Sequence, residues 1–164
     1  MKFEYLGIEI SRFGDVENEV REKTTEPSRI AACLNETIWQ NKHIEIEAKS
    51  RIYKATVRPI MTYTAEIRTE TAKTKRIIEI AEIKVLRRIA GKTLLDRERS
   101  ENIRRFCEID DVNEWVLSRK KDWNEHISRM DNNRVVKTAR DKFPLSRRST
   151  DRFRKRRSDN LEIE

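Results

Sequence analysis

The side chains in this chain that could do chemistry are cations, and the chemistry open to them is neutralisation of phosphate. Lys49, Arg51, Lys54 and Arg58 lie in a segment whose apolar residues Ile52, Tyr53, Val57, Ile60 and Met61 recur with helical spacing. They are read as a track for a nucleic-acid backbone. Arg147, Arg148, Arg152, Arg154, Lys155, Arg156 and Arg157 form the densest charged cluster, which suits loose phosphate binding or nuclear import. The acidic residues are scattered, and no serine, cysteine or phosphate-loop constellation stands beside them. No catalytic residue is assigned. Cys33 and Cys107 are far apart, and neither His43 nor His126 has a second ligand at short spacing, so no metal site is assigned. Both cysteines have apolar neighbours and are read as small core residues with free thiols, in a reducing compartment.

The elements that must position these cations are helical. The chain has 164 residues, 36% apolar and 40% charged, with three glycines, which allows one modest domain of long solvated helices. Its net charge of +8 is uneven: residues 1–82 carry 14 Lys/Arg against 14 Asp/Glu, and residues 83–164 carry 23 against 15. A field of that sign draws polyanions. Phe3 to Ile10 alternates as a strand, and Ser11 to Asp15, with Gly14, forms the turn that ends it. From Val16 the period becomes helical on Val16, Val20, Ile30, Leu34 and Ile38, with a break or kink near Thr24–Pro27, because an interior proline costs about 3 kcal/mol. A second helix is expected from about Glu47 to Tyr63, bent near Pro59.

The clearest helix runs from Thr71 to Ala90. Thr71 is its N-cap, Ile77, Ile78, Ala81, Val85, Leu86 and Ile89 its buried face, and Gly91 its left-handed exit. Lys84, Arg87 and Arg88 complement the helix dipole, and Arg87 and Arg88 are also candidate phosphate contacts. Ser100 is expected to cap a short helix burying Ile103, Phe106 and Cys107. Asp111 and Glu114 have the spacing of a capping box before a helix whose apolar face is Val112, Trp115, Val116, Trp123, Ile127 and Met130. A last helix, about Arg134 to Lys142, precedes Pro144. The tail from Phe143 is too polar to offset the entropy of ordering and is expected to be disordered when free.

Four short blocks in order give a resemblance. Tyr5-Leu6-Gly7, Arg58-Pro59-Ile60-Met61-Thr62-Tyr63, Leu86-Arg87-Arg88-Ile89-Ala90-Gly91 and Trp123-Asn124-Glu125-His126-Ile127-Ser128-Arg129-Met130 together resemble the C-terminal part of non-LTR (LINE-type) retrotransposon endonuclease-reverse transcriptases. The resemblance implies a mainly α fold: a strand or hairpin remnant over 1–15, a thumb-like helical bundle over 16–92, a post-thumb helical region over 93–142 and a basic tail over 143–164. It implies that the palm, with its carboxylates and a divalent metal such as Mg, lies upstream, and that Tyr5, Leu6 and Gly7 belong to a primer-grip-like element. The chain is then a fragment of an RNA-directed DNA polymerase without independent catalysis or a cofactor of its own, and its partner is an RNA/DNA duplex bound without sequence preference.

The tail departs from the pattern. Where the family carries Gly-Arg-Pro-x-x-Arg-Trp-x-Asp, this chain reads Asp151-Arg152-Phe153-Arg154-Lys155-Arg156-Arg157-Ser158-Asp159, keeping arginines and the aspartate but losing the shape-setting residues. Two alternatives follow: a transposon remnant with no function, and a basic helical nucleic-acid-binding protein. With no apolar signal core and no long hydrophobic run, the chain is read as intracellular, nuclear or cytoplasmic, neither secreted nor membrane-inserted. Nothing in the sequence fixes its oligomeric state.

Overall fold

The computed structural model describes residues 2–5, 8–11 and 16–141, with side chains from residue 16 onward. The opening segment forms two strands, within the strand or hairpin expected there. β1 (Lys2–Tyr5) and β2 (Ile8–Ser11) pair antiparallel, with Tyr5 opposite Ile8 and Lys2 opposite Ser11. Only two residues separate that first pair, the spacing of the tightest hairpin connections. Leu6 and Gly7 lie outside the described residues, as does the expected turn over residues 12–15.

The rest is helical, as expected. α1 (Val16–Cys33) runs unbroken through Pro27, so the expected interruption near Thr24 is absent. Burial offsets the proline, since Val20 and Ala31 are fully enclosed and α1 packs along both α3 (Arg58–Met61) and α4 (Ala72–Ile89). The hydroxyls nearby meet other carbonyls than that of Lys23, which a donor at position 27 would meet: Thr24 and Thr25 donate to Arg21 O at 2.8 and 3.0 Å and Ser28 to Thr24 O at 2.6 Å.

A π-helical turn, Asn35–Trp39, then folds Trp39 beneath α1, where its indole donates to Ala31 O at 2.8 Å. The expected second helix changes register twice. α2 (Ile46–Ile52) passes into a π-helical turn at Tyr53–Val57 and then into α3, which holds Pro59 in its first turn. Widening the ladder just ahead of Pro59 accommodates the missing proline N–H without ending the helix.

α4 is bounded as expected. The Thr71 side chain accepts from Thr74 N at 3.2 Å, Thr71 N donates back to the Thr74 hydroxyl at 2.9 Å, and Gly91 leaves the helix at φ +63°. Its buried face includes Ile78, Val85, Leu86 and Ile89. α5 (Ser100–Cys107) starts one residue earlier than a Ser100 cap would give, because Arg99 rather than Ser100 is the N-cap and makes no side-chain cap. Phe106 is more than half exposed, while Ile103 and Cys107 point inward. Cys33 is likewise exposed rather than core. Burial pushes the Cys107 thiol up to about 11. Asp111 caps α6 (Val112–Ser128) by accepting from Asn113 N at 2.7 Å, and α7 (Val135–Asp141) packs on α6. One core joins Val20, Trp39, Tyr53 and Leu86 to Ile103, Cys107 and Val112, so it crosses the boundary expected at residue 92.

A buried polar network ties these helices together. Glu82 of α4 is fully buried, and Tyr53 from the π-turn donates to its Oε1 at 3.2 Å. Arg104 of α5 donates Nε to Glu82 Oε2 at 3.0 Å and sets Nη1 2.8 Å from Asp111 Oδ2. Desolvation raises the Glu82 pKa, with Arg104 acting against it. Arg104→Ala would leave that carboxyl without its cation and should lower stability by about 3 kcal/mol in urea unfolding. A loss below about 1 kcal/mol would contradict this account. The pH dependence has a definite sign. A carboxyl whose folded pKa is raised favours folding fully below its unfolded value, here 4.5, and that contribution is lost as pH rises through the folded value. As pH rises above 4.5, the stability difference between wild type and Glu82→Gln should therefore shift towards the variant.

Candidate nucleic-acid interface

The outward side of α4 carries a row of exposed cations. Arg76, Ile80, Lys84 and Arg88 follow one another at intervals of four residues, and Lys92 continues the series past the Gly91 exit. At 1.5 Å per residue, Arg76 to Arg88 spans about 18 Å of helix. Four-residue steps drift slowly around an α-helix, so these side chains form one winding row.

That row borders an open groove of about 560 Å³ between α4 and the 90–100 segment. Ile80, Ile83 and Leu94 make its apolar surface, with Ile80 48% and Leu94 79% exposed. Arg76, Lys84, Arg87, Arg88 and Lys92 supply cations against a single acid, Glu79. Arg87 is engaged, since its Nη2 donates to Glu98 O at 3.0 Å. Glu79 is drawn inward, its Oε1 3.7 Å from Arg104 Nη2. Lys92 helps to hold the Asp96 carboxyl below its ordinary value, behind the larger effect of the Thr93 hydrogen bonds. Arg76, Lys84 and Arg88 are exposed and make no side-chain hydrogen bond or ion pair with another described residue.

The four cations expected to track a backbone along the second helix are not brought together. Lys49 is buried and donates to Trp39 O at 2.8 Å, which closes the end of the π-turn. Arg58 is buried between the rings of Tyr53 and Trp115, at 5.5 and 5.6 Å from their centroids. Lys54 is exposed but donates to Glu108 O at 2.9 Å, beyond the end of α5. Arg51 is exposed and paired with Glu47 one turn away. The π-helical turn at Tyr53–Val57 lies between Lys49 and Arg58, and the two cations end in different surroundings, at the Trp39 carbonyl and between two aromatic rings.

Arg119 also stands over the Trp115 ring, at 5.9 Å from its centroid. Arg147, Arg148, Arg152, Arg154, Lys155, Arg156 and Arg157 lie outside the described residues, with the tail expected to be disordered. Leu6 and Gly7 do too, and Tyr5 is described only as the backbone of β1. The groove is hard to see in the sequence because Lys84 and Arg88 have a sufficient structural explanation at a helix end. The signal that could reveal it is the four-residue series running back to Arg76.

A second buried ion pair marks residues committed to structure. Lys120 of α6 is fully buried, 3.1 Å from Glu70 Oε2 and donating to Arg68 O at 3.2 Å, and burial lowers its pKa. Among the described residues no group of three His, Cys, Asp or Glu side chains is placed to hold a metal ion, and no helix is long and apolar enough to cross a membrane.

Committed and spare cations should separate in unfolding experiments. Replacing Arg76, Lys84 or Arg88 singly by alanine should change stability by no more than about 0.5 kcal/mol. Lys49→Ala, which leaves the enclosed Trp39 carbonyl without its donor, should cost about 1–3 kcal/mol. Equal losses in the two sets would contradict the division. The chain matches no protein-family model, and no characterised protein or solved structure shows a significant match to it.

Proposed function

We propose that this chain is a nucleic-acid-binding helical module that holds phosphates along the α4 groove and has no catalysis of its own. The observation that carries the reading is the set of three exposed cations with no partner among the described residues, Arg76, Lys84 and Arg88, on one side of one helix. A helix C-terminus presents only about half a negative charge, and these whole positive charges, with Lys92, outweigh it. The groove lining contains no aromatic side chain to stack on a base. It therefore meets the backbone, and the binding is indifferent to sequence.

The resemblance to the thumb and post-thumb region of LINE-type reverse transcriptases supplies the class of partner, an RNA/DNA duplex. In that reading the chain is a fragment of an RNA-directed DNA polymerase, and the arginine-rich tail adds electrostatic affinity beside the groove. Divalent-metal chemistry belongs to the palm of the resembled enzyme.

The test is the salt dependence of duplex binding. Every phosphate left without its cation should lower the slope of log K against log salt by about 0.9, so Arg76→Ala/Lys84→Ala/Arg88→Ala should lower it by roughly 2 to 3 and weaken all duplex sequences alike. An unchanged slope would remove the groove from the interface. With template-primer, nucleotides and magnesium, the chain should give no DNA synthesis above blank, because two-metal phosphoryl transfer needs clustered carboxylates. Incorporation that disappears on replacing one acidic residue would overturn the non-catalytic assignment.

A further inference from the structure

The groove has chemistry that a bare phosphate track does not need. Its surface is apolar, through Ile80, Ile83 and Leu94, and its rim is cationic, so it matches a ligand that alternates apolar and acidic groups. Ile44-Glu45-Ile46-Glu47 alternates in that way but runs into α2, and a second such segment lies outside the described residues. Asp159-Asn160-Leu161-Glu162-Ile163-Glu164 holds three acids and two large aliphatics and no base, directly after the arginine cluster. Bound as an extended segment, it would set Leu161 and Ile163 on one side, with Asp159 in line before them, and Glu162 and Glu164 on the other. The aliphatics suit Ile80 and Leu94, whose exposure leaves apolar surface to cover. The long side chains of Arg76, Lys84 and Arg88 can bend over the segment to meet its carboxylates.

Reach is no obstacle. The eighteen residues from Asp141, the last residue of α7, to Asp159 allow a span of roughly 60 Å when extended. We propose that residues 159–164 dock in the α4 groove and compete there with nucleic acid, so that the chain carries its own polyanion mimic. As regulation of the groove, this rests on the functional reading above. Occupancy by the segment lowers apparent affinity by the fraction of molecules whose groove is open. The arginine cluster stays available for first encounter, and a duplex must displace the acidic segment to reach the groove cations.

The test uses the full chain with Asp159→Asn/Glu162→Gln/Glu164→Gln. If the segment fills the groove in most molecules, duplex affinity should rise roughly fivefold. The control is Glu36→Gln/Glu45→Gln/Glu125→Gln, which makes the same charge change at exposed acids outside the groove. Equal increases in the two variants would reduce the effect to net charge and overturn the proposal. The increase should also vanish in a Lys84→Ala/Arg88→Ala background. An amide NMR comparison of the tail variant with wild type, without nucleic acid, decides docking separately: shifts at Ile80, Ile83 and Leu94 support it. Shifts confined to residues 142–164 overturn it, and these include the case in which the acids pair with the adjacent arginines. If duplex binding is absent altogether, the functional reading falls while the NMR result still decides whether the segment docks.

Discussion

Burial of the Glu82 carboxyl is the constraint on which the packing of this chain depends. A carboxyl group removed from water is costly unless donors surround it, and here the donors come from two other places in the chain. Tyr53 reaches it from the π-turn before Pro59, and Arg104 from α5 across the Gly91 exit. Arg104 then extends to Asp111, whose other carboxylate oxygen caps α6. A displacement of any of these elements would leave the carboxyl or the guanidinium incompletely paired in a low-dielectric interior. Apolar burial is forgiving of small shifts, but this network is not, and so it fixes how α5 and α6 sit against α4.

The same logic sorts the basic residues. Lys49, Arg58, Arg104 and Lys120 are inside, each facing a carbonyl, an aromatic ring or a carboxylate. Cations of this kind hold helices together, and an anion could reach them only by opening the core. Others are exposed, among them the row of Arg76, Lys84 and Arg88 along α4 and, elsewhere, Arg105, Lys121 and Arg129. Net charge does not distinguish the two populations, and a count of Lys and Arg overstates what is available to a polyanion.

The fold is legible in the sequence where one physical cause acts alone. Thr71, the Ile78–Ile89 face and Gly91 mark α4 by capping, periodicity and left-handed exit, and its observed bounds agree. Legibility fails where tertiary packing overrides a local rule. Pro27 should end a helix, yet burial of Val20, Pro27 and Ala31 carries α1 through it. Apolar neighbours suggest a core position for Phe106 and Cys33, but a neighbour in sequence faces another direction on a helix. Glu82 and Lys120 interrupt apolar faces as charged residues, and a single sequence offers no way to see that their partners are Arg104 and Glu70. The candidate site is half legible: residue type points to phosphate, while proximity in the chain groups Lys49 with Arg58, which the fold commits to the Trp39 carbonyl and to the Tyr53 and Trp115 rings.

Core and groove meet at one residue. Glu79 borders the groove but lies 3.7 Å from Arg104, on the side of the Glu82 network, so its charge is partly taken up by the core. Turned outward, the same carboxylate would stand among Arg76, Lys84 and Arg88 and screen them from an incoming phosphate. The guanidinium that makes Glu82 tolerable inside thus also keeps the groove's acid from neutralising its rim. A change at Arg104 would be felt at the groove even though Arg104 never meets a ligand there.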